Sequence, residues 1–284
     1  MKIVGIIAEY NPFHTGHEFH IERAKKITGA DAAIVIMSGD YVQRGMPAIM
    51  PKHLRAQMAL SCGADVVFEL PVCYATGSAE YFATGAVSLL EMLGCVDYLC
   101  FGSECGDLEL LQEIADVLCK EPAHYKVLLQ KHFKNGNTFP AARKLAFTEY
   151  LSQNQSLSCI SGQIGEILDS PNNILGIEYL KALSCLNSSI EPGTITREGA
   201  GYHDQTLGGL FSSASAIRQG LQDYELAKNA DQNPAVEHIL RELPQSCHKI
   251  FKENYHKCFP VFADDYSLLL KAKLLTETKD TLTR

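Results

Sequence analysis

Two histidines three residues apart, His14 and His17, enclose Thr15-Gly16 where an apolar run gives way to a helical pattern. The run is KIVGIIA at 2–8, and Glu9, Tyr10, Asn11, Pro12 and Phe13 lead from it to the histidines. A helix that starts at Gly16 puts both imidazoles at its positive end, where backbone N–H groups attract anions. Gly16 has no Cβ to hold a ring or ribose away from the backbone. Imidazole N–H groups there can donate to phosphate oxygens as charge builds on a departing pyrophosphate. The same residues also describe an ordinary helix start with two incidental histidines. An HxGH spacing directly behind the first strand of a βα unit favours the nucleotide. His20, one turn further along, either supports the site or is merely exposed.

A second helix start carries hydroxyls and a cation: Ser212, Ser213, Ala214, Ser215, Ala216, Ile217 and Arg218. Serines can cap a helix and bond a phosphate. Arg218 can neutralise the same anion in bidentate fashion. Taken alone, this segment is a plain serine cap beside a surface arginine. Asp40, Gln43 and Arg44 lie in a polar turn, with Lys52 and Arg55 on the helix that follows. Asp40 can assist proton removal or simply cap the loop. Arg55 is spaced for a solvated helix face or for phosphate. Glu80 and Glu104 need partners, because a buried lone carboxylate is costly. Cys247-His248 and His256-x-Cys258 match no strong zinc spacing, and no metal ligands are assigned. His124, Lys126, Lys131, His132, Lys134, Arg143 and Lys144 form the best local basic patch. It reads either as an RNA-backbone contact or as a solvated helix pair.

The elements that must position these residues alternate. Strands are expected at 2–8, 32–37, 64–71 and 95–101, and helices at 16–28, 52–63, 79–93 and 107–119. The strands are apolar on both faces, as in a parallel sheet covered by helices, and such sheets hold ligands at the carboxyl ends of their strands. After Glu121-Pro122 the pattern turns helical at 123–134, 140–151 and 173–186. A short strand at 188–197, a loop at 196–212 and helices at 213–220, 234–242 and 262–277 follow. The expected organisation is a nucleotide-binding α/β domain over 1–220 with a helical insertion at about 121–186, then a mainly helical part over 221–284.

The 284 residues are 46% hydrophobic and 20% charged, which excludes global disorder and a long coiled coil. Net charge is -8, from 25 Lys plus Arg against 33 Asp plus Glu, so no global attraction to a polyanion is indicated. Ten cysteines without a CxxC pair fit packed thiols in a reducing compartment. No run reaches the length of a membrane span and the N-terminus lacks a signal-peptide pattern. A cytoplasmic protein is expected.

Together FHTGH and SSASAIR resemble the paired signatures of the HIGH-type nucleotidyltransferase superfamily. GIIAEYNPFHTGH, SGDYVQRGMPAI, KHLRAQMAL, GADVVFELP, ATGSAEYFATGAV, FGSE, PNNILGIEYLKAL and TITREGAGYHD are similar to the bacterial tRNA(Met) cytidine acetate ligase family. The resemblance covers most of residues 1–218. It implies a Rossmann-like α/β parallel sheet with an added helical region. It implies activation of acetate by ATP and acetylation of N4 of the wobble cytidine of elongator tRNA(Met). Mg²⁺ is implied as a companion of the phosphates, held mainly through them.

The implied ATP loop is Ile7, Ala8, Glu9, Tyr10, Asn11, Pro12, Phe13, His14, Thr15, Gly16, His17, Glu18, Phe19 and His20. Gly102, Asn173 (or its neighbour Asn172) and Arg197 are the further implied nucleotide contacts. Ser213, Ser215 and Arg218 form the implied phosphate signature, while His14, His17 and Asp40 are the catalytic candidates. Members of that family are longer than this chain, so a tRNA-holding portion is expected outside it. The competing readings are a small-molecule adenylyltransferase with the same motifs and a non-catalytic RNA-binding protein. A class I aminoacyl-tRNA synthetase is disfavoured by the lack of a KMSKS loop.

Overall fold

The computed structural model describes residues 1–153, 164–197, 213–227 and 234–282. Five parallel strands form one sheet in the order β3-β2-β1-β4-β5. They are β1 (Ile3–Ala8), β2 (Ala32–Ser38), β3 (Val66–Leu70), β4 (Tyr98–Ser103) and β5 (Glu191–Thr196). The helices are α1 (Thr15–Thr28), α2 (Lys52–Ser61), α3 (Val72–Ala75), α4 (Ala79–Leu93), α5 (Leu108–Lys120), α6 (Ala123–Lys134) and α7 (Phe139–Gln153). They continue with α8 (Ile164–Asp169), α9 (Pro171–Leu186), α10 (Ala214–Ala227), α11 (Pro234–Glu242), α12 (His248–Asn254), α13 (Ser267–Thr276) and α14 (Lys279–Leu282).

The alternation of side chains along each strand divides the core into two layers. Ile3 of β1, with Ile34 and Ile36 of β2, faces a layer containing Leu90 of α4, Ile114 of α5 and Ile177 of α9. Val4 and Ile6 face the other, with Ile21 of α1, Met58 of α2, Ile217 of α10 and Phe251 of α12. Gly5 permits this packing, because a Cβ there would lie 2.9 Å from the Leu90 methyls. The expected Rossmann-like parallel sheet with a helical addition is the fold observed. α6 to α8 form the addition, and α9 returns onto α4 and α5 beside the sheet.

Sequence order reverses between β1 and β4, so the loops leaving their carboxyl ends diverge and open a crevice. The HxGH segment leaves β1 at that point, and Ser103-Glu104 leaves β4. The fourth strand pairs over 98–103 and not 95–101, because Asp97 turns the chain in: its Oδ2 accepts the Ile3 N–H at 2.7 Å. The strand expected at 188–197 joins as the parallel edge beside β4. The short helices α3, α8 and α12 carry too few turns for a periodic signal. α13 leaves Leu268, Leu269, Leu270, Leu274 and Leu275 exposed. No helix among the described residues is long and apolar enough to cross a membrane.

Candidate active site

The chain turns sharply after β1. Tyr10 has φ 48°, a left-handed conformation uncommon for a bulky residue, and such outliers cluster at functional loops. The turn brings His14 to the N-cap of α1, whose first residue, Thr15, comes one residue before the expected helix start. His14 Nδ1 accepts the Gly16 N–H at 3.1 Å, and His17 Nδ1 accepts the His14 N–H at 3.2 Å. These reciprocal bonds form a capping box in which imidazoles replace the usual hydroxyl and carboxylate. The two rings stack with centroids 3.7 Å apart, and Tyr10 meets His17 edge-on at 4.8 Å.

The cap decides the tautomers. With Nδ1 accepting in both rings, the neutral form carries its proton on Nε2. Burial, aided by the Arg197 charge, lowers His14 to about 3. Burial also lowers His17 well below the usual range, with His14, Arg197 and His20 adding to the effect. Both rings are therefore neutral Nε2–H donors at pH 7. That suits them to stabilise developing negative charge, and neither is set to receive a proton. His20 is likewise lowered, to about 4, mainly by burial. Its Nε2 and the Tyr10 hydroxyl are buried without a partner among the described residues, polar atoms that a bound nucleotide could satisfy.

The second motif reaches the first. Ser213 caps α10, its Oγ accepting the Ala216 N–H at 3.1 Å. Arg218 donates to the Asn11 carbonyl at 2.7 Å and to Ser215 Oγ at 3.0 Å. Asn11 is buried, and its Oδ1 accepts the Ile49 N–H at 2.8 Å. Through Arg218 the serine-capped start of α10 is thus tied to the histidine loop although the two are far apart in sequence. Ser212 and the 196–212 loop beyond Arg197 lie outside the described residues.

At β4, Glu104 and the start of α9 hold each other. Glu104 accepts from the Asn172 and Asn173 N–H groups at 3.2 and 2.8 Å, and from Asn172 Nδ2 at 2.6 Å. The buried Asn173 Oδ1 accepts the Glu104 and Cys105 N–H groups at 2.9 and 3.1 Å. Asn173 therefore shapes the loop from within. Gly102 accommodates Arg197: an added Cβ would lie 3.2 Å from the arginine Cγ.

Other candidates stand differently. Ile7 and Ala8 end β1, and Glu9 Oε1 accepts the Gln43 N–H at 2.9 Å while burial raises its pKa. Thr15, Glu18 and Phe19 lie on the first turns of α1. Asp40 is exposed and occupied as a cap, its Oδ1 accepting the Lys52 N–H at 2.9 Å. Glu80 is exposed beside Lys181 at 3.4 Å. Arg55 is not on a solvated face: it is wholly buried and bonds three backbone carbonyls. Its place three, four and seven residues before buried Met58, Ala59 and Cys62 carried that signal.

The basic patch is largely self-neutralised. Lys131 and His132 share Glu149 at 2.8 and 3.0 Å, and Lys126 faces Glu121 at 3.4 Å. Arg143 pairs with buried Glu178 at 2.6 Å, and Lys144 pairs with Asp169. Five of the seven residues thus meet a carboxylate of the surrounding helices. Among the described residues no group of three or more His, Cys, Asp or Glu could hold a metal. His248 instead bonds the Leu243 carbonyl at 3.0 Å.

A parallel sheet in this order, with a histidine-capped helix behind β1 and a serine–arginine helix start bonded to the same loop, is the arrangement of the HIGH-type nucleotidyl transferase fold. The chain belongs to the HIGH Nucleotidyl Transferase family, whose pattern matches residues 1–284. It is similar to the tRNA(Met) cytidine acetate ligase of Clostridium botulinum (strain Okra / Type B1). The two are 50% identical over 223 residues, covering 78% of this chain and 54% of that protein. It also resembles Thermotoga maritima TmcAL bound with alpha-thio ATP (37% identity, TM-score 0.82, 94% of this chain and 59% of that one). For apo Thermotoga maritima TmcAL the identity is 36% and the TM-score 0.88, over 99% of this chain and 63% of that one. The chain spans little more than half the length of the curated relatives it matches.

Proposed function

We propose that the chain is an ATP-dependent ligase that activates acetate as acetyl-adenylate and acetylates N4 of the wobble cytidine of elongator tRNA(Met), in the cytoplasm. The observation that carries this reading is the pair of stacked imidazoles at the start of α1, on the loop whose Asn11 carbonyl Arg218 holds, in a chain similar to acetate ligases along most of its length. Acetate is already a carboxylate at neutral pH and needs no base to attack the α-phosphorus. The protein's work is positioning and charge stabilisation. His14 and His17 donate to oxygens that gain charge as pyrophosphate leaves, and their fixed tautomers require no rearrangement. Gly102, Asn173 and Arg197 frame the opposite side of the crevice, and Ser213, Ser215 and Arg218 complete the phosphate end. Mg²⁺ arriving with ATP would neutralise the polyphosphate and be held mainly through it.

In the second half-reaction the cytidine amine attacks the acetyl carbon, the C–O bond to AMP breaks, and one amine proton is lost. The histidine tautomers oppose a role for His17 as the acceptor of that proton. Incubation with ATP, Mg²⁺, labelled acetate and elongator tRNA(Met), followed by nucleoside analysis, tests the whole reading. Label in N4-acetylcytidine is expected. A small-molecule adenylyltransferase would instead show no acetate-dependent exchange of pyrophosphate into ATP.

A further inference from the structure

Arg55 of α2 is the largest fully enclosed side chain among the described residues. Its Nε donates to the Met50 carbonyl at 3.0 Å, one terminal nitrogen to the Glu9 carbonyl and the other to the Gly39 carbonyl. These acceptors belong to three segments. Glu9 leaves β1 and begins the loop to His14, Gly39 leaves β2, and Met50 precedes α2. Among the described residues no carboxylate lies within ion-pair distance of the guanidinium, although the charges of Asp40, Glu9 and Glu69 favour it from further off. A buried cation without a bonded carboxylate is expensive, so this position has a more specific demand than filling space. A packed apolar residue would fill space at lower cost.

We infer that Arg55 is a positioning residue for the nucleotide, clamping the carboxyl ends of β1 and β2 at the spacing the histidine loop requires. It acts through the Glu9 and Gly39 carbonyls, and its burial keeps it from touching the ligand. A planar fork can reach three carbonyls in three directions, whereas a lysine ammonium cannot reproduce that geometry. The inference rests on the nucleotide part of the function proposed above.

The test titrates ATP with Mg²⁺ calorimetrically into the whole chain and into R55K and R55A, with each variant's melting temperature measured alongside. R55K keeps the charge and is expected to fold, yet to bind ATP about tenfold more weakly or worse, since the fork is lost. Millimolar guanidinium should restore ATP affinity to R55A, whereas equal sodium chloride, or sucrose raising the melting temperature equally, should not. Parent-like ATP affinity in folded R55K would overturn the inference. So would rescue of R55A by sucrose as complete as that by guanidinium, which would mark a role in global stability alone. A parent chain that binds ATP but shows no acetate-dependent exchange removes the acetate reading and leaves the Arg55 comparison standing. A parent that binds no ATP overturns both.

Discussion

His17 has two separable duties, and two substitutions can divide them. Its Nδ1 accepts the His14 N–H at 3.2 Å, and its Nε2–H is left for the substrate. In His17→Asn the amide oxygen can take the place of Nδ1, but no atom reaches the Nε2 position. In His17→Gln the amide nitrogen can approach the Nε2 position, while the cap acceptor is lost. Loss of one donor to developing charge should reduce acetate-dependent pyrophosphate exchange by about 10²–10³, or roughly 2.7–4 kcal/mol. Loss of the cap acceptor leaves the buried His14 N–H unpaired, which costs about 1–3 kcal/mol. His17→Asn should therefore be nearly inactive but stable, and His17→Gln more active but less stable. His17→Ala should lose on both counts, including the ring contacts to Tyr10 and His14. Exchange kinetics and urea unfolding on the same preparations provide the two scales. Parent-like exchange by His17→Asn, or activity that merely follows stability across the three variants, would refute this division of duties.

The histidine cluster also makes stability depend on pH. A ring whose folded pKa lies below its unfolded value takes up its proton first in the unfolded chain, so acid favours unfolding. The contribution of His14 and His20 is full above the unfolded value of 6.5 and falls as pH drops toward about 3 and about 4 respectively. The slope in that window is up to about 1.4 kcal/mol per pH unit for each ring, measurable by urea unfolding between pH 7.5 and 5. Arg218→Ala removes the bond to Asn11 and should raise the KM for ATP without changing tRNA affinity measured in the absence of ATP; unchanged ATP kinetics would count against the phosphate role. Asn173→Ala strands two N–H groups at the β4 loop and should lower unfolding free energy by about 2–3 kcal/mol, together with ATP affinity. Lys131→Gln and Lys144→Gln should leave the salt dependence of tRNA binding unchanged, because both cations are already paired. A slope reduced by about one per substitution would place them on the RNA.

What the sequence determined by itself is local. The βα alternation set the sheet class, since a strand buried on both faces and a helix buried on one leave distinct periodicities. The three-residue spacing of His14 and His17 brought both rings to one helix start, because an N-cap and its N3 partner are neighbours in any α-helix. Gly29 and Gly94 ended α1 and α4 in left-handed caps for an equally local reason. The fates of charged side chains were decided elsewhere, by partners that only folding supplies. The spacing of Arg55 puts it on the buried side of α2, but its partners, the carbonyls of Glu9 and Gly39, exist only once the ends of β1 and β2 close over it. The cations of 126–144 read as a patch until Glu149, Asp169 and Glu178 meet them. Arg218 bonds a carbonyl 207 residues away, and Glu104 holds a helix start 68 to 69 residues away. Even the histidine tautomers needed the cap geometry, since spacing alone does not say which nitrogen accepts. Periodicity is written in neighbouring residues, whereas burial and pairing depend on where distant segments meet.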